Sequence, residues 1–393
     1  MTTPQPAGSA PSTGSSEVSV RPVETARDLD LFVGLPAELN AGDPAFVPPL
    51  LMERKDFLDP RKNPFFDHAP HQLFLAWQRD RVVGRVAAVE DRDYNAFHGT
   101  DYGFFGMYDA VDDDDVARAL FAAARNWIRA RGRKQLMGPM NLSTNHDFGL
   151  LIEGFEHPAA IMTPHNPRYY QRHFEVLFGL RKAKDLWAWW LPTKTDPDPK
   201  IVRIADKVRQ KEGIVVRPVN LSDFANEVRR IKEIYNAAWE KNWGFVPFTD
   251  AEFDHVAKDM RTFVRPELLL IAELRGEPVA FSMTLPDLNQ ALAHVGGRLT
   301  TFGLPIGLAK LLWHSRKIDR LRLITLGVKE QYRKRGIDAI LYLDSLAAAR
   351  KLGFEGCDIS WILEDNVLIN RSIQLMGATR YKTYRVYEDE VRE

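Results

Sequence analysis

From residue 213 onward, the spacing of apolar side chains switches repeatedly between a period of two and a period near 3.6. "GIVVRPV" is a β-branched run of strand type. "DFANEVRRIKEIYNAAWEKN" then sets Val228, Ile231, Ile234 and Tyr235 at helical spacing, and "TDAEFDHVAKDM" opens with Thr249 and Asp250 as candidate caps. Two strand-like runs, "ELLLIAEL" and "PVAFSMTL", flank the turn "RGEP". After a long connection come strand "RLRLITLGV", a helix over 338–352, strand "CDISWIL", a helix over 366–376 and strand "RYKTYRVYE". The predicted order is β-α-α-β-β-β-α-β-α-β.

Residues 17–191 repeat that order less regularly. "VSVRPV" nearly duplicates "IVVRPV", and each precedes a helical stretch. "HQLFLAWQRD" and "RVVGRVAAVED" predict a hairpin, followed by "YGFFGMYDAV", a helix in "DDDVARALFAAARNWIRARG", strand "KQLMGPMNL", a helix in "PRYYQRHFEVLFG" and strand "KAKDLWAWWL". Self-similarity over so long a period predicts two copies of one α/β unit with an α+β type mixed sheet. The Pro- and charge-rich stretch 192–200 reads as linker. The expected organisation is a floppy tail over 1–16, a first lobe over 17–191, a linker and connecting helix over 192–212, and a second lobe over 213–393.

Composition narrows the class. The 393 residues suit two domains of about 100 to 200 each. Hydrophobic content of 45% with 27% charged residues is that of a soluble globular chain. Lys plus Arg equals Asp plus Glu at 53 each, so no global field draws in nucleic acid. The one cysteine, Cys357, rules out an internal disulfide framework and cysteine-rich zinc sites, reads as a buried apolar residue, and fits a reducing, cytoplasmic compartment. No run approaches the roughly 18 apolar residues of a membrane span, and the N-terminal segment lacks a secretory signal.

The chemistry concentrates in "LGVKEQYRKRGIDAILYLDSLAAARKLGF". A strand ending in a glycine-bearing loop that feeds a helix aims unpaired N–H groups and the positive end of the helix dipole at one spot, which binds phosphate. Arg333, Lys334 and Arg335 add charge, and Gly336 permits a positive φ or close approach. A solvated basic turn is the plain alternative. Strand order, loop position and the following "EDN...GA" helix resemble the GNAT acyltransferase superfamily, whose loop cradles the pyrophosphate of coenzyme A. Val328, Arg333 and Gly336 match its pattern; Glu330 stands where proline is common, and Asp338 replaces a small residue. Asn366 and Gly377 match the residues that open and close the next helix, while the usual tyrosine between them is Ile373. The first copy carries "DAVDDDD" (109–115) at the equivalent loop, carboxylates that cap a helix but repel coenzyme A.

Over nearly the whole chain, "GPMNLSTNHDFGLLIEGFEHPAAIMTPHNPRYY", "SWILEDN" and "YKTYRVYE" resemble the long bacterial GNAT-related proteins that include bacterial ceramide synthases. The resemblance implies N-acylation of a long-chain sphingoid base by an acyl-CoA co-substrate, without a metal. It places the donor on Leu326, Gly327, Val328, Arg333, Lys334, Arg335, Gly336, Ile337, Asn366 and Asn370. Val328 is the expected oxyanion donor, because the strand before the loop parts from its neighbour in this superfamily. An attacking amine must lose a proton, so a base is required. Glu364, His146 and Asp147 are the candidates. Glu364 reads equally as a helix-start acid, and His146 as a turn or core histidine. His165, Asn166, Tyr169 and Tyr170 read first as part of a helix whose aromatics pack between lobes.

The stretch 286–319 is far longer than the usual hairpin loop of about 2 to 5 residues. It carries an amphipathic basic segment with Leu308, Leu311, Leu312 and Trp313 opposed to Lys310, Arg316 and Lys317. An anionic membrane surface, an apolar chain tunnel and packing on the first lobe all suit it. "DLWAWWLP" reads as a groove lining or as aromatics buried between sheets. A soluble acetyltransferase of small amines and an inactive acyl-CoA or lipid sensor stand as alternatives to the lipid N-acyltransferase.

Overall fold

The computed structural model describes residues 17–391, so the expected tail over 1–16 lies outside the described residues. In chain order the first half contains β1 (Val18–Pro22), α1 (Ala26–Leu39), α2 (Leu51–Phe57), β2 (His71–Gln78), β3 (Arg81–Val89), α3 (Arg92–His98), β4 (Tyr102–Ala110), α4 (Asp114–Ala130), β5 (Gln135–Gly138), β6 (Leu150–Glu153), α5 (Tyr169–Arg172) and β7 (Arg181–Pro192). Helix α6 (Pro199–Glu212) connects it to β8 (Ile214–Pro218), α7 (Phe224–Trp239), α8 (Asp250–Met260), β9 (Leu269–Leu274), β10 (Glu277–Pro286), α9 (Asn289–Leu292), α10 (Ile306–Ser315), β11 (Arg320–Val328), α11 (Ile337–Lys351), β12 (Gly356–Leu363), α12 (Val367–Leu375) and β13 (Thr379–Glu390).

All strands join one sheet in the order β1-β2-β3-β4-β5-β13-β7-β12-β11-β10-β9-β8, with β6 against β13. The two lobes exchange their last strands: β13 lies between β5 and β7, and β7 lies between β13 and β12. Alternation along β7 serves both cores at once. Leu186 and Ala188 enter the core under α1, whereas Trp189 and Leu191 enter the core under α6 and α11. The aromatic run therefore belongs to one sheet, and among the described residues no second sheet lies over it.

Local chemistry sets the helix starts. Thr249 caps α8, its Oγ1 accepting from Glu252 N at 3.2 Å while Glu252 Oε2 accepts from Thr249 N at 2.8 Å. Asp113 Oδ1 accepts from Asp115 N and Val116 N at the start of α4, and Arg172 pairs with Asp112 and Asp114. The acidic run of the first half thus caps a helix. Strand β5 ends at Gly138 because Pro139 has no N–H for the ladder, shorter than the nine-residue run read as strand. The helix expected over 167–179 is a single turn followed by a π turn, His173–Leu177. Its aromatics Tyr170, Phe174 and Phe178 join Tyr108 and Phe121 in a core that also takes Tyr387 of the exchanged β13, so they meet the second lobe only through that strand.

Candidate functional site

Strands β11 and β12 pair in parallel only from Arg320 with Gly356 to Leu323 with Ile359. Beyond those residues β11 stays with β10 up to Val328, while β12 resumes pairing with β7 at Ile362 and Leu363. A gap therefore opens between Ile324–Val328 and the end of β12. Lys329 N donates to Val279 O at 2.9 Å, toward β10. Since backbone groups alternate along a strand, the N–H groups of Val328 and Leu326 face the gap and that of Gly327 faces Phe281 of β10. Gly327 is thus not a freed donor; its missing Cβ makes room for Trp239, whose ring would lie 2.2 Å from one.

The loop after β11 turns through Lys334 (φ 60) and Gly336 (φ 83) into α11. Among the described residues, the N–H groups from Lys334 to Ile337 find no acceptor, so the helix start presents open donors. Glycine is required at 336 by its left-handed φ and by α6, because a Cβ there would lie 2.8 Å from Ile204 Cγ2. Arg333 matches the family pattern, but its guanidinium donates to Ala238 O and to Val328 O, pinning the loop to α7 and β11. Lys334 and Arg335 remain exposed, with Arg335 3.4 Å from Glu212. Asp338 turns back on its own helix: burial raises its pKa, opposed by bonds from the N–H groups of Ala339 and Asp338.

The asparagines have local work. Asn366 Oδ1 accepts from Ile369 N at 3.4 Å as the cap of α12. Asn370 is buried and donates to Leu363 O at 3.0 Å while accepting from Trp189 Nε1 at 3.1 Å, clamping β12 to β7. Asn370 thus has both ends of its amide engaged. Ile373 is fully buried in the second core, so the position of the usual tyrosine carries no polar group.

Of the three base candidates, Glu364 is held elsewhere. Its Oε2 accepts from Lys182 Nζ at 2.7 Å and its Oε1 from Asp185 N at 3.0 Å, on the β7 side of β12. His146 and Asp147 lie on the loop 141–148, which the second lobe covers. Asn145 Nδ2 donates to Val246 O at 3.2 Å, and Tyr235 OH donates to Asn145 Oδ1 at 3.4 Å. His146 bonds Ser143 Oγ through Nδ1 at 2.9 Å and sits edge-on to Phe57 and Phe65 at 5.1 and 5.3 Å. Burial lowers its pKa to about 4, which keeps the ring neutral. Burial raises the pKa of Asp147, opposed by the guanidinium groups of Arg54 and Arg322. Its neighbour Phe148 lies with its ring 4.9 Å from that of Trp361 and tilted by 53°, and Trp361 belongs to the unpaired stretch of β12.

Sequence reasoning did not find Trp361, Arg54, Arg322 or Asp358. Trp361 Nε1 is buried without an acceptor among the described residues. Arg322 and Asp358 stand opposite each other in register, charged positions inside otherwise apolar strands, and that was the available signal. Arg322 donates to Ile161 O at 2.6 Å, Met162 O at 2.8 Å and Ser360 Oγ at 3.1 Å, while Asp358 accepts from Ser360 and Tyr381. This buried network ties loop 158–163 to the sheet below the gap. Among the described residues no group of His, Cys, Asp or Glu gathers as a metal site, and no helix is long and apolar enough to cross a membrane.

The exchanged sheet, the parted strands and the glycine loop at a helix start define a two-lobed GNAT acyltransferase. No family model matches the chain. It resembles the tandem GNAT protein of the clavulanic acid biosynthesis pathway with a TM-score of 0.57, at 14% identity over 96% of this chain and 99% of that one. A GNAT N-acetyltransferase from Sphaerobacter thermophilus aligns with a TM-score of 0.52 at 14% identity, covering 96% of both. At such identity the likeness speaks for the fold alone. Sequence relatives are nearer: the chain is 39% identical over 381 residues to the bacterial ceramide synthase of Caulobacter vibrioides (strain NA1000 / CB15N), covering 95% of this chain and 98% of the relative. It is 37% identical over 379 residues to Protein YghO of Escherichia coli (strain K12), covering 95% of each. The chain belongs to this family of two-lobed GNAT N-acyltransferases, the one that includes the bacterial ceramide synthase.

Proposed function

We propose that the protein transfers a long acyl group from an acyl-CoA to the amine of a sphingoid-type base drawn from a membrane. The observation that carries the reading is the parting of β11 from β12, with two backbone N–H groups facing the gap beside an open helix start. The amine nitrogen attacks the thioester carbonyl; the C–N bond forms, the C–S bond breaks and the thiolate departs. Val328 N–H, assisted by Leu326 N–H, stabilises the oxyanion. The N–H groups of residues 334–337 with Lys334 and Arg335 receive the pyrophosphate.

Asp147 is assigned as the base. Its carboxylate accepts no hydrogen bond among the described residues, and burial raises its basicity toward the range a base needs. His146, neutral and fixed by Ser143, lines the acceptor side. The lipid acceptor rests on the name and near-full-length match of the Caulobacter relative. Ile373 in the core favours a second reading, an acyl-CoA binder without turnover. Thiol release with palmitoyl-CoA plus sphinganine, set against acetyl-CoA plus polyamines, decides. Turnover of the first pair is expected; turnover of the second alone, or of neither, overturns the proposal.

A further inference from the structure

Residues 288–318 leave the sheet between β10 and β11 and contain Arg298, Lys310, Arg316 and Lys317 but no Asp or Glu. Phe302 is 99% exposed, Leu304 60%, Leu312 59% and Trp313 59%, and Ile306 and Leu308 also face outward. Single exposed apolar residues are ordinary on soluble proteins, but a contiguous cluster marks an interaction surface. The reading in which α10 packs on the first lobe, one of three that suit the segment, is corrected by these exposures. So is the expected opposition of apolar and basic sides: Lys310, Arg316 and Lys317 are exposed along with Leu308, Leu312 and Trp313, and Lys317 Nζ lies 5.2 Å from the Trp313 ring.

The segment is not loosely attached. Gly307 is buried against Arg298, where a Cβ would meet Arg298 O at 1.9 Å, and His314 stacks on His294 at 3.8 Å. A fixed root thus holds the apolar side chains outward.

We propose that α10 and the loop before it form a docking face for an anionic membrane surface, with Phe302, Leu304, Leu312 and Trp313 entering the headgroup boundary and the four cations meeting lipid phosphates. Charge complementarity selects this occupant. A segment with four cations, no acid between Asp287 and Asp319, and six outward apolar side chains matches an anionic bilayer. Among the described residues none of the four cations forms an ion pair, which leaves them for headgroups. A two-fold pairing of copies would set these cations against one another, because such an interface presents one patch to itself. The face also adjoins the acceptor side of the site. Leu51 N, at the start of α2, donates to Gly297 O at 3.0 Å, and the same short helix carries Phe57 beside His146. The inference deepens the lipid-acceptor reading by naming the surface that would face the acceptor's source, and its test does not depend on turnover.

Full-length protein is co-sedimented with vesicles of phosphatidylcholine alone and with vesicles in which phosphatidylglycerol replaces a third of it. Binding to the second kind, weakened by salt, is expected. Reversing Lys310 and Lys317 to Glu should weaken it by about fivefold or more per charge. The pair Leu312→Glu and Trp313→Glu should abolish it, while leaving the melting temperature and the rate on detergent-solubilised sphinganine unchanged. Absence of binding to phosphatidylglycerol vesicles overturns the proposal even if turnover is present. So does a dimer in solution that the Leu312/Trp313 pair converts to monomer, which would make the face a self-interface. Vesicle binding without any turnover retains the docking face and instead removes the enzymatic reading.

Discussion

Asp147 is half-buried, desolvation raises its pKa, and its carboxylate receives no hydrogen bond among the described residues. Replacement by Asn removes the proton acceptor and its charge together. The expected result is a fall in turnover of about 10²- to 10⁴-fold with no loss of melting temperature, read by thiol release and a thermal melt. Unchanged turnover would move the base elsewhere. At Gly336, alanine would have to adopt a left-handed φ of 83 with its methyl 2.8 Å from Ile204 Cγ2. Strain of about 1–2 kcal/mol on the loop raises the donor KM by up to about thirtyfold, with kcat at saturating donor preserved. Gly336 was legible because its left-handed φ and the approach of α6 call for glycine. The partners of Arg333 and Glu364 were not, since sequence does not say whether a long side chain turns to a ligand or to a neighbouring carbonyl, lysine or amide.

Helix α8 shows how the lobes are fastened at the scale of one element. His68 lies between Asp91, with Nδ1 3.5 Å from its carboxylate, and Glu252 of α8, with Nε2 3.4 Å away. Burial alone would lower the His68 pKa, but the two nearby carboxylates outweigh it and raise the value to about 10. Because the folded value exceeds the unfolded value of about 6.5, the stabilisation is complete below that pH and fades as pH rises toward the folded value. The melting-temperature gap between wild type and His68→Gln should be largest near pH 6 and shrink on approach to about pH 10. A gap that widens with pH contradicts this. Capped helices such as α8 were legible from their residues, whereas α2, α3 and β6 span seven, seven and four residues, too short for periodicity to register.

Across the whole molecule, the exchange of β7 and β13 makes the two lobes one hydrogen-bonded body. Sequence repetition announced two copies of a unit, and the order of elements followed it. The exchange itself was hidden, because alternation says which face a residue takes but not which strand lies beside it. With thirteen strands in one ladder, heat should unfold the protein in a single transition with matching calorimetric and van't Hoff enthalpies. Two resolved transitions would show lobes that melt separately. In the proposed mechanism the donor thioester enters the gap between β11 and β12 while its diphosphate rests on the start of α11. A crystal structure with a non-hydrolysable acyl-CoA analogue tests it most directly. The analogue's carbonyl oxygen is expected within hydrogen-bond reach of Val328 N and its diphosphate against Gly336 and Ile337; an analogue seated on another surface, or absent at saturating concentration, rules this seating out.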